Sequence, residues 1–165
     1  MTTAIIPGSF DPITLGHLNI IRRAAQIFDR VVVCVMKNSA KTYMFTIDER
    51  VELARRVTAR LGNVEVDTTG LLLAEYAKKY EGAVIVKGLR AVSDFDYEFQ
   101  IALINKKMNP ELDTLFLTSS EKYTFLSSTV VKEMAAYGAD LSEFAPKEII
   151  GDIIERTNKR RQTQT

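Results

Sequence analysis

The chain has no tryptophan, one cysteine and one histidine. A lone thiol cannot close an internal disulfide. Cys34 lies in "VVVCVM", an apolar run where a buried, inert thiol is expected rather than a nucleophile. Neither sign of charge dominates. Lys and Arg number 22 against 21 Asp and Glu, for a net charge of +1. No strong global field therefore steers nucleic acid or an anionic membrane to the protein, and any anion must be held by a local arrangement. No stretch approaches the roughly 18 apolar residues of a membrane span. The N-terminus lacks the basic region and cleavage site of a signal peptide. Internal repeats and low-complexity segments are absent too. What remains is ordinary for a soluble cytoplasmic protein: 165 residues, 46% apolar and 26% charged. The expected organisation is one domain over residues 1–158. "KRRQTQT" (159–165) is expected as a frayed tail, solvated rather than bound to nucleic acid.

Apolar β-rich runs alternate with helical patterns. Strands are expected at 3–8, 30–36, 64–67, 83–87 and 114–118. Helices are expected at 15–28, 46–62, 71–80, 94–108, 128–138 and 146–159. Thr46 with Glu49 forms a capping box, and Gly62 and Gly138 close helices. This order implies an α/β fold, a Rossmann-like, doubly wound five-stranded parallel sheet with helices on both faces.

In such sheets ligands bind beyond the carboxyl ends of the strands. The loops there carry His17, Lys37, Lys41, Lys87, Arg90, Ser119, Ser120, Lys122, Ser127, Ser128 and Thr129. That is a cationic, hydroxyl-rich rim on a nearly neutral protein, and it suggests a polyphosphate ligand. In "PGSFDPITLGH" (7–17), Pro12 fixes the turn, Thr14 is placed to cap the next helix and Gly16 lets a ligand approach the backbone. His17 falls in the first helical turn, among free N–H groups at the positive end of the helix dipole. It could donate to a phosphate oxygen there, or simply cap its own helix. The hydroxyls of "SSTVVK" (127–132) could likewise be no more than an N-cap. Asp94 and Asp96 read as helix-cap and first-turn charges. No carboxylate cluster reads as a metal cage.

Taken in order, these segments resemble a known family. "PGSFDPITLGH" is similar to the first signature of the nucleotidyltransferase superfamily, [T/H]-x-G-H at the start of a helix. "LSSTVVK" resembles its second. With "KGLRAVSDFDYEFQ" between them, the chain resembles the bacterial phosphopantetheine adenylyltransferases over about residues 1 to 155. The resemblance implies that ATP and 4′-phosphopantetheine give dephospho-coenzyme A and pyrophosphate, with Mg²⁺, in a homohexamer. Carried over, Ser9 and Phe10 match contacts to both substrates or to the nucleotide, and His17 matches the phosphate-binding histidine. Lys41 and Leu73 match phosphopantetheine contacts, and Lys87 matches a basic residue at the phosphate. Gly88, Leu89, Arg90 and Glu98 match nucleotide contacts, as do Tyr123, Thr124, Phe125, Leu126, Ser127, Ser128 and Thr129. The chain departs from many members at Ser9, where threonine is common, and at Lys87, where arginine is.

For such a reaction the substrate's own phosphate is the nucleophile and needs no general base. Positioning and fixed positive dipoles would carry the catalysis. His17 would donate to the α-phosphate and Lys41 would hold the incoming phosphate. Arg90 and the helix start at 127–129 would hold the β- and γ-phosphates. Another transferase of the superfamily, with a different acceptor or CTP, would use the same chemistry. A non-catalytic nucleotide-binding module is the other alternative. A dinucleotide-binding domain disagrees with the sequence, because the first βα turn lacks G-x-G-x-x-G.

Overall fold

The computed structural model describes residues 1–163. Five parallel strands form one sheet in the order β3-β2-β1-β4-β5. In chain order the elements are β1 (Thr3–Gly8), α1 (Leu15–Ile27), β2 (Arg30–Met36), α2 (Ile47–Thr58), β3 (Val64–Thr69) and α3 (Leu73–Tyr76). β4 (Val84–Leu89), α4 (Val92–Met108), β5 (Asp113–Thr118), α5 (Ser128–Ala136) and α6 (Ile150–Thr163) complete the chain. The expected Rossmann-like α/β fold is thus observed.

Strand side chains alternate between faces, and the sheet separates two cores. Ala4, Ile6, Val31, Val33 and Val35 enter the larger one, with Ile21 of α1, Ala54 of α2, Val131 of α5 and Ile153 of α6. Ile5, Val32, Cys34 and Ile85 enter the smaller one, with Ala74 and Tyr76 of α3. Because β2 is covered on both faces, it reads as an unbroken apolar run instead of an alternating one. Burial, followed by the nearby Asp67 charge, pushes the Cys34 thiol up to about 12. It is therefore a packing residue at neutral pH.

The register explains where a ligand could enter. β1 pairs with β2 over all six residues from Thr3 to Gly8, but with β4 only at Ala4 and Ile5. Pro7 has no N–H for the ladder. β1 and β4 therefore part toward their carboxyl ends, which is the point where the chain order of the sheet reverses. α1 lies close to this gap. A Cβ on Gly88 would stand 2.8 Å from Cγ1 of Ile20. Glycine here is a packing requirement of α1 against β4.

Several boundaries differ from expectation. β3 and β4 each run two residues further, so Gly88 and Leu89 are strand residues paired with Leu117 and Thr118. α2 stops at Thr58, short of Gly62. The expected helix over 71–80 is a single α-turn followed by a 3₁₀ turn over Ala77–Lys79. The Tyr76 hydroxyl donates to Asp67 at 2.6 Å and that of Tyr80 to Glu65 at 3.4 Å, so both rings are tied to β3. The tail expected to fray from 159 is instead helical to Thr163. Gln164 and Thr165 lie outside the described residues.

Candidate active site

Three loops and two helix starts meet at the gap between β1 and β4. The first loop leaves β1 through Ser9 and Phe10. Phe10 takes a left-handed backbone conformation, φ 47°, rare for a residue with a side chain. Its buried ring folds back over Gly8, where a Cβ would come within 2.9 Å of it. The same ring meets the His17 imidazole edge to face at 5.0 Å.

Thr14 caps α1, as the sequence suggested. Its hydroxyl accepts from the His17 N–H at 3.2 Å, and Nδ1 of His17 accepts from the Thr14 N–H at 3.0 Å. This reciprocal cap fixes the tautomer: Nδ1 is an acceptor, so the proton sits on Nε2. The two readings of His17, helix cap and ligand donor, are therefore compatible because they use different nitrogens. The ring's pKa is lowered to about 4, first by burial and then by the charges of Arg90, Lys41 and Lys87. A neutral N–H donor thus stands within electrostatic reach of three cations from two segments of the chain, Lys41 after β2, and Lys87 and Arg90 at the end of β4.

The cations differ in how they are held. Lys41 is exposed on the loop after β2. Lys87 of β4 lies 3.1 Å from Glu98 of α4. Arg90 donates through Nε and Nη2 to the two carboxylate oxygens of Asp94, at 3.0 and 3.2 Å, and through Nη1 to the Leu126 carbonyl at 3.1 Å. Burial works to raise Asp94, but the hydrogen bonds from Arg90 outweigh it and hold its carboxyl below the ordinary value. Asp94 is in the first turn of α4, whose N-cap is Ala91; Asp96 lies beyond that turn.

The second signature opens α5. Ser127 is its N-cap and accepts from the Val130 N–H at 3.1 Å. The Ser128 hydroxyl donates to the Pro12 carbonyl at 2.8 Å, tying α5 to the first loop. Thr129 is exposed and its hydroxyl has no hydrogen bond among the described residues. Thr129 is the hydroxyl of the three that remains available to a ligand.

Some expected contact residues are placed differently. The side chains of Phe10 and Leu126 are buried in the larger core. Leu73 is packed in the smaller core beside Ala74 and Tyr76, while its neighbours Leu71 and Leu72 are exposed. Ser9, Tyr123 and Ser128 are half-buried at the gap, and Gly88, Thr124 and Phe125 are exposed. Four residues that composition and spacing did not single out also bear on the site. Asp11, Arg50 and Lys132 join its loops, and Asn19 of α1 accepts from the Ser120 hydroxyl at 2.9 Å. Asp11 and Lys132 stand inside the two quoted signatures, which was the only signal available for them.

The arrangement combines a neutral N–H donor, three cations and a helix N-terminus, so its chemistry is that of a polyanion site. Comparison with known proteins narrows it. The Cytidylyltransferase-like family matches residues 5–134. A phosphopantetheine adenylyltransferase of Caldanaerobacter subterraneus subsp. tengcongensis is 53% identical over 159 residues, covering 96% of this chain and 99% of that one. The chain belongs to the phosphopantetheine adenylyltransferase family. A family member from Clostridium botulinum (strain Hall) is 46% identical over 162 residues, covering 98% of this chain and 99% of its own. The fold extends further than the family. A Vibrio parahaemolyticus protein assigned as a nicotinate-nucleotide adenylyltransferase superposes with a TM-score of 0.68 at 19% identity, covering 94% of this chain and 95% of that one. The nicotinic acid mononucleotide adenylyltransferase of Plasmodium falciparum superposes at 0.65 and 12%, covering 97% and 96%. Membership makes the chain a nucleotidyltransferase, and at such identities these two structures speak for the fold alone.

Proposed function

We propose that this enzyme transfers the adenylyl group of ATP to the phosphate of 4′-phosphopantetheine, releasing pyrophosphate and dephospho-coenzyme A. The observation that supports this best is the neutral His17 donor, oriented by Thr14 and lowered in pKa first by burial and then by the charges of Arg90, Lys41 and Lys87. An oxygen of the acceptor's phosphate forms a bond to the α-phosphorus while the bond from that phosphorus to the bridging oxygen of pyrophosphate breaks. A phosphomonoester is largely ionised at neutral pH, so no proton need be removed from the nucleophile. No covalent enzyme intermediate is required.

In this reading Nε2 of His17 donates to the α-phosphate as its charge grows. Being neutral and already oriented by Thr14, the imidazole needs no reorganisation at that moment. Lys41 holds the acceptor's phosphate and Lys87 supports it. Arg90, Thr129 and the free N–H groups that open α5 hold the β- and γ-phosphates. Ser9, Gly88, Leu89, Glu98 and residues 123–126 line the nucleotide's path. Glu98 pairs with Lys87 and Asp94 with Arg90, so a phosphate that engages either cation competes with a carboxylate already there.

Among the described residues, no three His, Cys, Asp or Glu side chains gather as a metal cage. No step proposed here passes through a protein-held ion. Mg²⁺ enters with ATP, on the nucleotide's own phosphates. No helix among the described residues is long and apolar enough to cross a membrane. We place the reaction in the cytoplasm, where coenzyme A synthesis would use it, with no nucleic acid partner.

We further propose a homo-oligomer, a hexamer as the family resemblance implies. α4 leaves Val92, Tyr97, Leu103 and Ile104 in solvent, Leu103 at 55%, beside the exposed Leu115 of β5. An apolar face of this kind usually lies against a partner. Light scattering on a sizing column should give six times the chain mass, and a monomeric mass would refute the assembly.

An acceptor panel tests the reaction. Pyrophosphate release with ATP should be seen with 4′-phosphopantetheine. Turnover only with nicotinamide mononucleotide or glycerol 3-phosphate would move the enzyme to another branch of the superfamily.

A further inference from the structure

Lys41 stands on residues 37–45, a connection without helix or strand, and so on a mount that needs support if the lysine is to meet a phosphate repeatedly. Two buried charges brace it. At the start of the loop is Arg50 of α2, only 2% exposed and with no carboxylate partner among the described residues. Its Nη1 donates to the Ser9 carbonyl at 2.6 Å and to the Met36 carbonyl at 3.0 Å. Its guanidinium lies 4.0 Å from the centre of the Tyr43 ring. The Tyr43 hydroxyl donates to the Asn38 carbonyl at 3.0 Å and accepts from the Asn38 N–H.

At the far end is Asp11, 3% exposed. Its Oδ2 accepts from the Met44 N–H and its Oδ1 from the Phe45 N–H, each at 2.8 Å. Lys132 of α5 lies 3.2 Å from the same Oδ2.

A buried guanidinium without an acid partner is costly to desolvate, and an apolar side chain of similar size often serves stability as well or better. Packing alone does not account for Arg50. The two carbonyls it joins stand where β1 and β2 end, at the roots of the His17 loop and the Lys41 loop. Asp11 makes the second link between the same loops, since it belongs to the first and holds amides of the second.

We propose that Arg50 and Asp11 are positioning residues that fix Lys41 relative to His17, and thereby set recognition of the acceptor's phosphate without touching a substrate. The proposal rests on the reading of Lys41 as the acceptor's ligand.

Two conservative variants test it. Arg50→Lys keeps the charge but is about one atom shorter and cannot lie flat on Tyr43. Asp11→Asn keeps the size but surrenders one acceptor and the charge facing Lys132. For each, KM for 4′-phosphopantetheine, KM for ATP, kcat and the melting temperature are measured. The acceptor KM should rise about tenfold or more while the ATP KM stays within about twofold. In a Lys41→Ala background the same substitutions should change the acceptor KM by less than about twofold, because the braces act through that lysine. A purely structural role would lower the melting temperature and kcat, leave the two KM values moving together, and add in full to Lys41→Ala; any of these patterns overturns the proposal. If Arg50→Lys does not fold, the near-isosteric Asp11→Asn decides alone. Wild-type enzyme inactive on 4′-phosphopantetheine would instead overturn the assigned reaction.

Discussion

In the proposed reaction the two nitrogens of the His17 imidazole have separate tasks. Nδ1 completes the cap of α1, which leaves the Nε2 proton for the proposed donation to the α-phosphate. His17→Ala should therefore cut kcat by about 10²–10³ while changing the ATP KM only a few-fold, because the lost bond strengthens as charge builds on the α-phosphate. A near-normal kcat would leave His17 as a cap alone. Its titration adds a second expectation. The folded-state value is about 4 against 6.5 for a free histidine, so between those values the unfolded chain binds the extra proton. Stability should be fully present above about pH 6.5 and fall as the pH is lowered toward 4. Chemical denaturation at a series of pH values should show that slope in the wild type and a shallower one in His17→Gln above about pH 5, below which depressed carboxylates such as Asp94 and Glu49 add a slope of the same sign.

At the scale of the element, the three hydroxyls that open α5 should separate by function. Ser127 is the N-cap, so Ser127→Ala should cost about 1 kcal/mol of stability. Thr129 has no structural bond to lose, so Thr129→Val should leave the melting temperature unchanged and weaken ATP use. The reverse pattern in thermal melts and steady-state kinetics would mean that the second signature is only a helix start. The sequence could not divide these roles, because a cap hydroxyl and a ligand hydroxyl read alike until the Pro12 carbonyl and the Val130 N–H are placed. Elements specified by their own residues were legible: the buried run of β2, the capping box of α2 and the cap of α1. Elements shaped by distant partners were not. α3 is short where Tyr76 and Tyr80 are held by acids on β3, and the basic tail continues a helix anchored close to it, where Arg156 pairs with Glu49 of α2 and Arg160 donates to the Tyr43 carbonyl. The rim cations were legible as a set from their loops, but the buried braces Arg50 and Asp11 were not, since a buried arginine looks like a surface one in sequence.

Across the whole molecule, a net charge of +1 coexists with a site where burial, and after it the charges of Arg90, Lys41 and Lys87, depress the pKa of a histidine. The fold achieves this by sending loops from different strands to one gap in the sheet, so the field is local and the surface stays nearly neutral. In the proposed reaction such a site would stabilise charge in transit, with the acceptor's own phosphate as the nucleophile. The central claim is thus direct adenylyl transfer between ATP and a phosphate acceptor. Exchange of labelled pyrophosphate into ATP tests it most directly. Enzyme with ATP and labelled pyrophosphate alone should give no labelled ATP, and adding dephospho-coenzyme A should start the exchange by running the reaction in reverse. Label entering ATP without dephospho-coenzyme A would reveal a covalent adenylyl-enzyme, and no exchange in its presence would contradict the assigned reaction.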